Sequence, residues 1–202
     1  MNYFTADTHF FHKDILGQND FAPRPYASVE EMNQTIINNW NQRVKPTDTV
    51  YHLGDIALYF IKPVNDAYQA ILDVLNQLNG NLVLIKGNHD SRAFFKFLAK
   101  HNYPLNGKPK FQFHDVGVLL KFDHRQYYLT HYPFMLGIVN QIISLHGHIH
   151  HYSVPIKENI NVGVDSPELA YLSYQLPFGT PLSESDIEEM ITGKAIDLAK
   201  RR

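Results

Sequence analysis

The chain has 202 residues, 44% of them hydrophobic, enough apolar material to bury a sizeable core in one domain. A formal net charge of −2 and a pI near 6.6 exclude a broad basic surface, so tight binding to long nucleic acid or to anionic lipid is not expected. With no cysteine there is neither a disulfide framework nor a thiolate metal site. With no apolar run of membrane-spanning length and no signal-type N-terminus, the expectation is a cytoplasmic protein.

In chain order, residues 1–6 read as a strand. Ser28 and Glu31 form a capping box that opens a helix over 28–41, with Val29, Met32, Ile36 and Trp40 as its apolar stripe. A strand follows at 49–53. A second amphipathic helix spans 63–78 and is stopped by Asn79-Gly80. Residues 82–86 read as a buried strand and 91–100 as a short helix, whose Phe94, Phe95, Phe97 and Leu98 are core. From about 111 the pattern turns to strands, at 112–122, 126–130, 142–145 and 159–164. A last helix begins at Ser185, with Glu188 completing a second capping box. The β-α-β-α-β first half implies a parallel sheet, and the strand-rich second half a second sheet packed on it, with helices outside. The reading is one domain over 1–202, with a motif-bearing core at 1–165 and a tail that carries the helix at 185–200.

Each strand runs into polar residues at its C-terminal end, the edge where ligands bind in open α/β sheets. The first ends in ADTH, giving Asp7 and His9; the second in LGDI, giving Asp55; the third in KGNHD, giving Asn88, His89 and Asp90. Later strands end in LTHYP, giving His131, and in HGHIH, giving His148 and His150. On extended backbone, alternate residues face one way, so Asp7 can converge with His9 and His148 with His150. Gly54, Gly87 and Gly147 each precede a candidate ligand and let the backbone approach a site closely. Two carboxylates, one amide oxygen and four imidazoles, with His89 to spare, suit two metals that share a carboxylate. Carboxylate and imidazole without thiolate suit Mn, Fe, Zn or Ni, and ligand type does not choose among them.

The ordered set D-x-H, GD, GNHD, H and GHxH over residues 7–150 resembles the calcineurin-like metallophosphoesterases, and NVGVD at 161–165 extends the likeness to the small bacterial and phage-like type. The resemblance implies an α/β fold, a four-layer αββα sandwich of two mixed sheets flanked by helices. It also implies roles: Asp7, His9 and His150 at a first metal, Asn88, His131 and His148 at a second, Asp55 bridging, and His89 as a catalytic imidazole that binds no metal. Residues after about 170 match no motif.

Other polar residues carry weaker signals. His12 in FFHKD and Arg24 in APRPY are candidate substrate contacts, the second because flanking prolines stiffen its loop and a fixed guanidinium suits phosphate. His146 reads as core or as support for the ligands, His151 as surface, and His52 as a satisfied core histidine. Asp48 stands at the wrong end of its strand for the site. Asp90 is expected to cap the following helix, and Asp165 to hold a turn near the metals, with a bond to a ligand histidine as the sharper reading.

The chemistry expected is hydrolysis of a phosphomonoester or phosphodiester by in-line attack of a metal-bridging hydroxide, with His89 as the acid. Two dications against two carboxylates and one hydroxide leave about +1, a local attraction for phosphate in a mildly acidic chain. Inorganic phosphate is accordingly expected as product and competitor. Two other readings are weighed against this. A non-catalytic scaffold on the same fold would have lost ligands or His89, and none is lost. A β-lactamase-like dimetal hydrolase wants H-x-H-x-D-H early in the chain, whereas the histidine cluster here is late and lacks the aspartate. No long insertion is visible, so selectivity falls to short loops, including 10–28 and 132–141.

Overall fold

Alternation along the first strand, Asn2–Thr5 (β1), sends Tyr3 into one apolar cluster and Phe4 into another, and these two clusters organise the molecule. The computed structural model describes residues 1–137, 139 and 141–201; Ile138 and Asn140, in the loop expected to shape selectivity, lie outside the described residues, as does Arg202. The Tyr3 side is covered by helices Val29–Arg43 (α1), Val64–Gln77 (α2) and Arg92–Lys100 (α3). These helices contribute Met32, Ile36, Trp40, Ile71, Leu75, Phe94 and Leu98 to that core. The Phe4 side faces a second sheet.

The helices connect parallel strands Thr49–His52 (β2), Asn81–Ile85 (β3) and Phe111–His114 (β6), reached after a small hairpin, Pro104–Leu105 (β4) with Lys108–Pro109 (β5). The second sheet follows as Gly117–Phe122 (β7), Arg125–Thr130 (β8), Ile142–His146 (β9) and Asn159–Asn161 (β10). Strand Leu182–Ser183 (β11) then adds antiparallel to β1, giving the orders β11-β1-β2-β3-β6 and β10-β9-β8-β7. Tyr127, Leu129, Ile143, Leu145 and Ile160 meet Phe4, Leu53 and Ile85 between the sheets. This is the mixed α/β layering expected from the sequence.

Three local expectations are corrected. The single strand at 112–122 is two strands in different sheets, β6 against β3 and β7 against β8, divided by a bend at Asp115 and Val116. Continuous β-propensity hid the bend; Asp115, exposed and paired with Arg92 at 3.0 Å, stays outside both sheets. The last helix, Glu184–Lys200 (α4), starts from Ser183, and its capping box uses Asp186. Pairing of Ser183 with Tyr3 holds that residue extended, while Glu188 is drawn away to Arg125 and Tyr127. In α1, Ser28 accepts from the Glu31 N–H at 3.1 Å, but the Glu31 carboxylate accepts from Ala27 at 2.8 Å and not from its cap residue.

The tail that matched no motif completes the inter-sheet core. Ile187, Met190 and Ile191 of α4 pack into it beside β11, β1 and β10. Lys194, 1% exposed, ties α4 to Glu168 at 2.6 Å and to the Asn159 carbonyl at 2.5 Å. Among the described residues, no helix is long and apolar enough to cross a membrane.

Candidate metal centre

The strands stop short of the candidate ligands. β1 ends at Thr5 and β9 at His146, and the ligands stand in tight turns beyond them. Asp7, His9, Asp55, His148 and His150 all have left-handed backbone, with φ of 57°, 49°, 55°, 73° and 46°. Convergence therefore comes from strained turns and not from the extended alternation expected of the sequence. Such conformations disfavour side chains with a Cβ and persist only where the surroundings over-determine them.

Those surroundings are visible. The Asp7 N–H donates to the Gly54 carbonyl at 3.0 Å and the His9 N–H to the Asp55 carbonyl at 3.1 Å, locking the first two turns together. Asp90, expected to cap α3, is instead buried between loops. Its carboxylate accepts from the N–H groups of Asp55, Ile56 and Gly87 at 2.8, 3.1 and 2.8 Å, and Ser91 caps the helix. Buried backbone donors need partners, and only a carboxylate at this position reaches all three. Gly87 closes the clamp: a Cβ there would lie 2.2 Å from both the backbone nitrogen and Oδ1 of Asp55. Gly87→Ala is therefore expected to lower Tm and to reduce metal content together, which thermal unfolding with elemental analysis checks. Native metal content in the variant would mean that the loops yield independently of Asp55.

The turns bring the ligands into two groups. Asp7, His9 and His150 present atoms within 4.8 Å of one another, and Asp55, His131 and His148 do the same. Asp55 Oδ2 lies between the groups, 3.6 Å from His9 Nε2 and 3.5 Å from His131 Nε2. Asn88 joins the second group, its Oδ1 2.8 Å from His131 Nε2. His148 and His150, two positions apart, thus serve different groups.

These residues fit divalent cations by their own unsatisfied chemistry. Burial pushes His9 well below the usual imidazole range and lowers His131 and His148, so each carries a lone pair at neutral pH. The His131 Nδ1–H donates to the Leu53 carbonyl at 2.8 Å, so its Nε2 lone pair points at the Asn88 oxygen and the Asp55 carboxylate. Acceptors facing acceptors call for a cation between them. Among the described residues, the buried His9 Nε2 has no hydrogen-bond partner. Asp7 is pushed well above the usual carboxylate range by burial and by the charge of Asp55, a repulsion that a cation would reverse. Backbone comes close to the Asp7 carboxylate as well: a Cβ at Gly147 would stand 2.6 Å from Asp7 Oδ2.

His89 differs from the ligands. Its side chain is 38% exposed, with Nε2 4.0 Å from Asp55 Oδ2, while its backbone N–H donates to Asp55 Oδ1 at 2.9 Å. The ring looks into an open cleft of about 360 Å³ that Phe21, Ile149 and Tyr152 also line.

The two residues expected at the substrate are corrected. Arg24 is fully buried, and its guanidinium is spent on Asp165 and on the carbonyls of Asp7 and Thr8, leaving nothing for a phosphate. His12 is buried behind His9, with the two Nδ1 atoms 3.1 Å apart, and burial lowers it to about 4. Short polar loops read alike in sequence whether they face solvent or fold inward.

Most of the remaining assignments agree with the structure. His52 is a core histidine but only half satisfied: Nε2 meets Thr8 Oγ1 at 2.8 Å, Nδ1 is buried without a hydrogen-bond partner among the described residues, and burial lowers the ring to about 3. His146 is core, its Nδ1–H on the Gly147 carbonyl at 2.9 Å. His151 donates to the Phe21 carbonyl at the rim. Asp48 holds the N-terminal amine at 2.7 Å, away from the cluster. Asp165 accepts from His150 Nδ1 at 3.1 Å; burial would raise its pKa, but Arg24 and His150 hold it below the usual range. Sequence reading missed Tyr132, whose ring lies 4.5 Å from that of His148 and 5.1 Å from that of His131. Only its place directly after a ligand could have drawn notice.

A two-sheet α/β sandwich with paired carboxylate–imidazole clusters on one strand-end edge defines a candidate dinuclear metal protein. The sequence profile of the calcineurin-like phosphoesterases matches residues 3–177, and the chain belongs to that family. It is similar to an uncharacterised protein of Methanocaldococcus jannaschii, 37% identical over 142 residues that cover 66% of this chain and 74% of that one. It is also similar to the Gene 66 protein of Mycobacterium phage L5, 34% identical over 88 residues that cover 44% of this chain and 39% of the phage protein. In fold it resembles the crystal structure of a protein of unknown function from Aquifex aeolicus, with a TM-score of 0.63, 24% identity, and coverage of 94% of this chain and 98% of the other.

Proposed function

We propose that the chain hydrolyses phosphomonoesters or phosphodiesters with two divalent metal ions, manganese among the candidates with iron, zinc and nickel. The observation that carries the reading is Asp55 Oδ2 standing 3.6 and 3.5 Å from imidazole nitrogens of two different ligand groups. Asp7, His9 and His150 would hold one ion, Asn88, His131 and His148 the other, and Asp55 both. The ions supply electrophilic charge for phosphoryl oxygens and acidify a water molecule. The protein's part is to keep the imidazoles neutral by burial, to fix their lone pairs with hydrogen bonds behind them, and to present His89 on the open side. From there His89 hands a proton to the departing oxygen. The cytoplasmic location expected from the sequence is part of this proposal.

The test is turnover of a panel of phosphomonoesters and phosphodiesters by metal-loaded and chelator-treated protein, with metal content measured on the same samples. Content should approach two ions per chain, and activity should follow it. Metal binding with no turnover of any ester would make the chain a scaffold.

Product inhibition follows from the same charge. Inorganic phosphate offers the same oxygens to the same site, so it should inhibit competitively at millimolar concentration in steady-state assays. Purely noncompetitive inhibition, or none, would argue against phosphoryl oxygens meeting the metals.

A further inference from the structure

Arg24 is the largest charged side chain wholly buried among the described residues, and apart from Met32 and Phe178 beside it the contacts of its guanidinium lead to one metal group. Its Nε and Nη2 grip the Asp165 carboxylate at 3.1 and 2.6 Å. Nη2 also donates to the Asp7 carbonyl at 2.6 Å, and Nη1 to the Thr8 carbonyl at 2.7 Å. The guanidinium lies 5.2 Å from the Phe178 ring, which helps to close it from solvent. Asp165 Oδ2 in turn meets His150 Nδ1 at 3.1 Å. One buried cation therefore joins the turn that carries Asp7 and His9 to the loop that carries His150, 126 residues beyond Arg24 in sequence (150 − 24).

We propose that Arg24 and Asp165 are a positioning pair that holds His150 in its Nδ1–H tautomer and seats the Asp7–His9 turn against it, so that the first metal position is formed before an ion arrives. The inference rests on the reading that Asp7, His9 and His150 hold a metal. Asp165, ionised against Arg24, only accepts hydrogen bonds, so the proton of a neutral His150 must sit on Nδ1 and the Nε2 lone pair is left free. Partners of this kind fix tautomer and ring orientation in ligand histidines. The fork of the guanidinium matters as well as its charge, because a single ammonium cannot reach Asp165 and two carbonyls in this geometry.

Asp165→Asn tests the pair with an isosteric change. Both Asp165 oxygens accept from Arg24, and Oδ2 accepts from His150 Nδ1 as well, so an amide in either orientation sets its NH₂ against an Arg24 N–H. The paired grip is lost either way, and His150 no longer faces a fixed, acceptor-only partner. Long-range ¹H–¹⁵N correlation on metal-free protein should find His150 protonated at Nδ1 in the native chain and as a mixture of tautomers in the variant. Titration with Zn²⁺ or Mn²⁺ should show one of two sites weakened roughly 10- to 100-fold and the other unchanged. The isotherm should resemble that of His150→Ala and not that of His131→Ala. Arg24→Lys should weaken the same site. An Nε2–H His150 in the native metal-free protein overturns the proposal, as does equal weakening of both sites or of neither in Asp165→Asn. Should that variant fail to fold, the native tautomer decides alone. None of these readouts uses ester hydrolysis, so a protein that binds two metals but turns over no ester removes the proposed function and leaves this inference standing.

Discussion

Replacing Asp55 with asparagine should cost both metals and on the order of 10³-fold or more in kcat/KM. Several kcal/mol of charge stabilisation is at stake, and each tenfold in rate corresponds to about 1.36 kcal/mol. Asparagine is the informative change because Asp55 sits at φ 55°, a conformation asparagine tolerates and alanine does not. The amide can also keep the oxygen that accepts the His89 N–H at 2.9 Å, so the loop after β3 need not move. What disappears is the negative charge at Oδ2, the atom that approaches His9 at 3.6 Å and His131 at 3.5 Å. Both sites should therefore weaken together. His150→Ala and His131→Ala should each weaken mainly one, and elemental analysis with titration separates the three patterns. A native protein that saturates at one ion, or an Asp55→Asn protein that keeps one site intact, would remove Asp55 from the shared position.

His89→Ala should keep both metals and lose roughly 10²- to 10⁴-fold in kcat, the usual size of a general-acid contribution. The ring stands 38% exposed beside the cleft, so its loss opens no core cavity and stability should change little. The backbone N–H that supports Asp55 is retained by alanine. The loss must depend on the leaving group. An alkoxide needs a proton as it departs, whereas p-nitrophenolate is stable enough to leave without one. Comparing kcat/KM on an alkyl phosphoester and on bis(p-nitrophenyl) phosphate in both proteins reads this directly. Equal loss on the two substrates would make His89 a stabiliser of phosphoryl charge. His12 would then be a poor substitute as the acid, since it lies buried behind His9.

Much of the candidate site was legible because its chemistry is written in short blocks at strand ends. ADTH, LGD, GNHD and GHIH each follow a run apolar enough to be read as a strand, and the parallel order of those strands brings their C-terminal ends to one edge. Residue type then implied the ligands without any coordinates. The α/β class was legible for the same reason, since helical and strand periodicities alternate cleanly through α3.

Local reading failed where one residue's role depends on a partner far along the chain. Arg24 and His12 lie in a polar loop that looks solvent-facing, yet both fold inward because Asp165, Asp7 and His9 await them. Asp90 stands at a helix start and was assigned to it, but it instead accepts from two N–H groups of the loop after β2 and from that of Gly87 in its own loop, while Ser91 caps α3. The bend at Asp115 and Val116 is invisible in a run of strand formers until two separate sheets compete for its halves.

The sequence by itself thus determined the elements, their parallel order and the types of ligand that meet at the strand ends, because periodicity and residue chemistry are local properties. The family resemblance had already sorted the ligands into two groups; only the tertiary structure decided how their atoms converge, which imidazoles burial keeps as lone-pair donors, and that Arg24 and Asp90 stand behind the site. Those depend on left-handed turns, on burial that keeps imidazoles neutral, and on hydrogen bonds such as Asp165 to His150, none of which exists until distant segments are packed together.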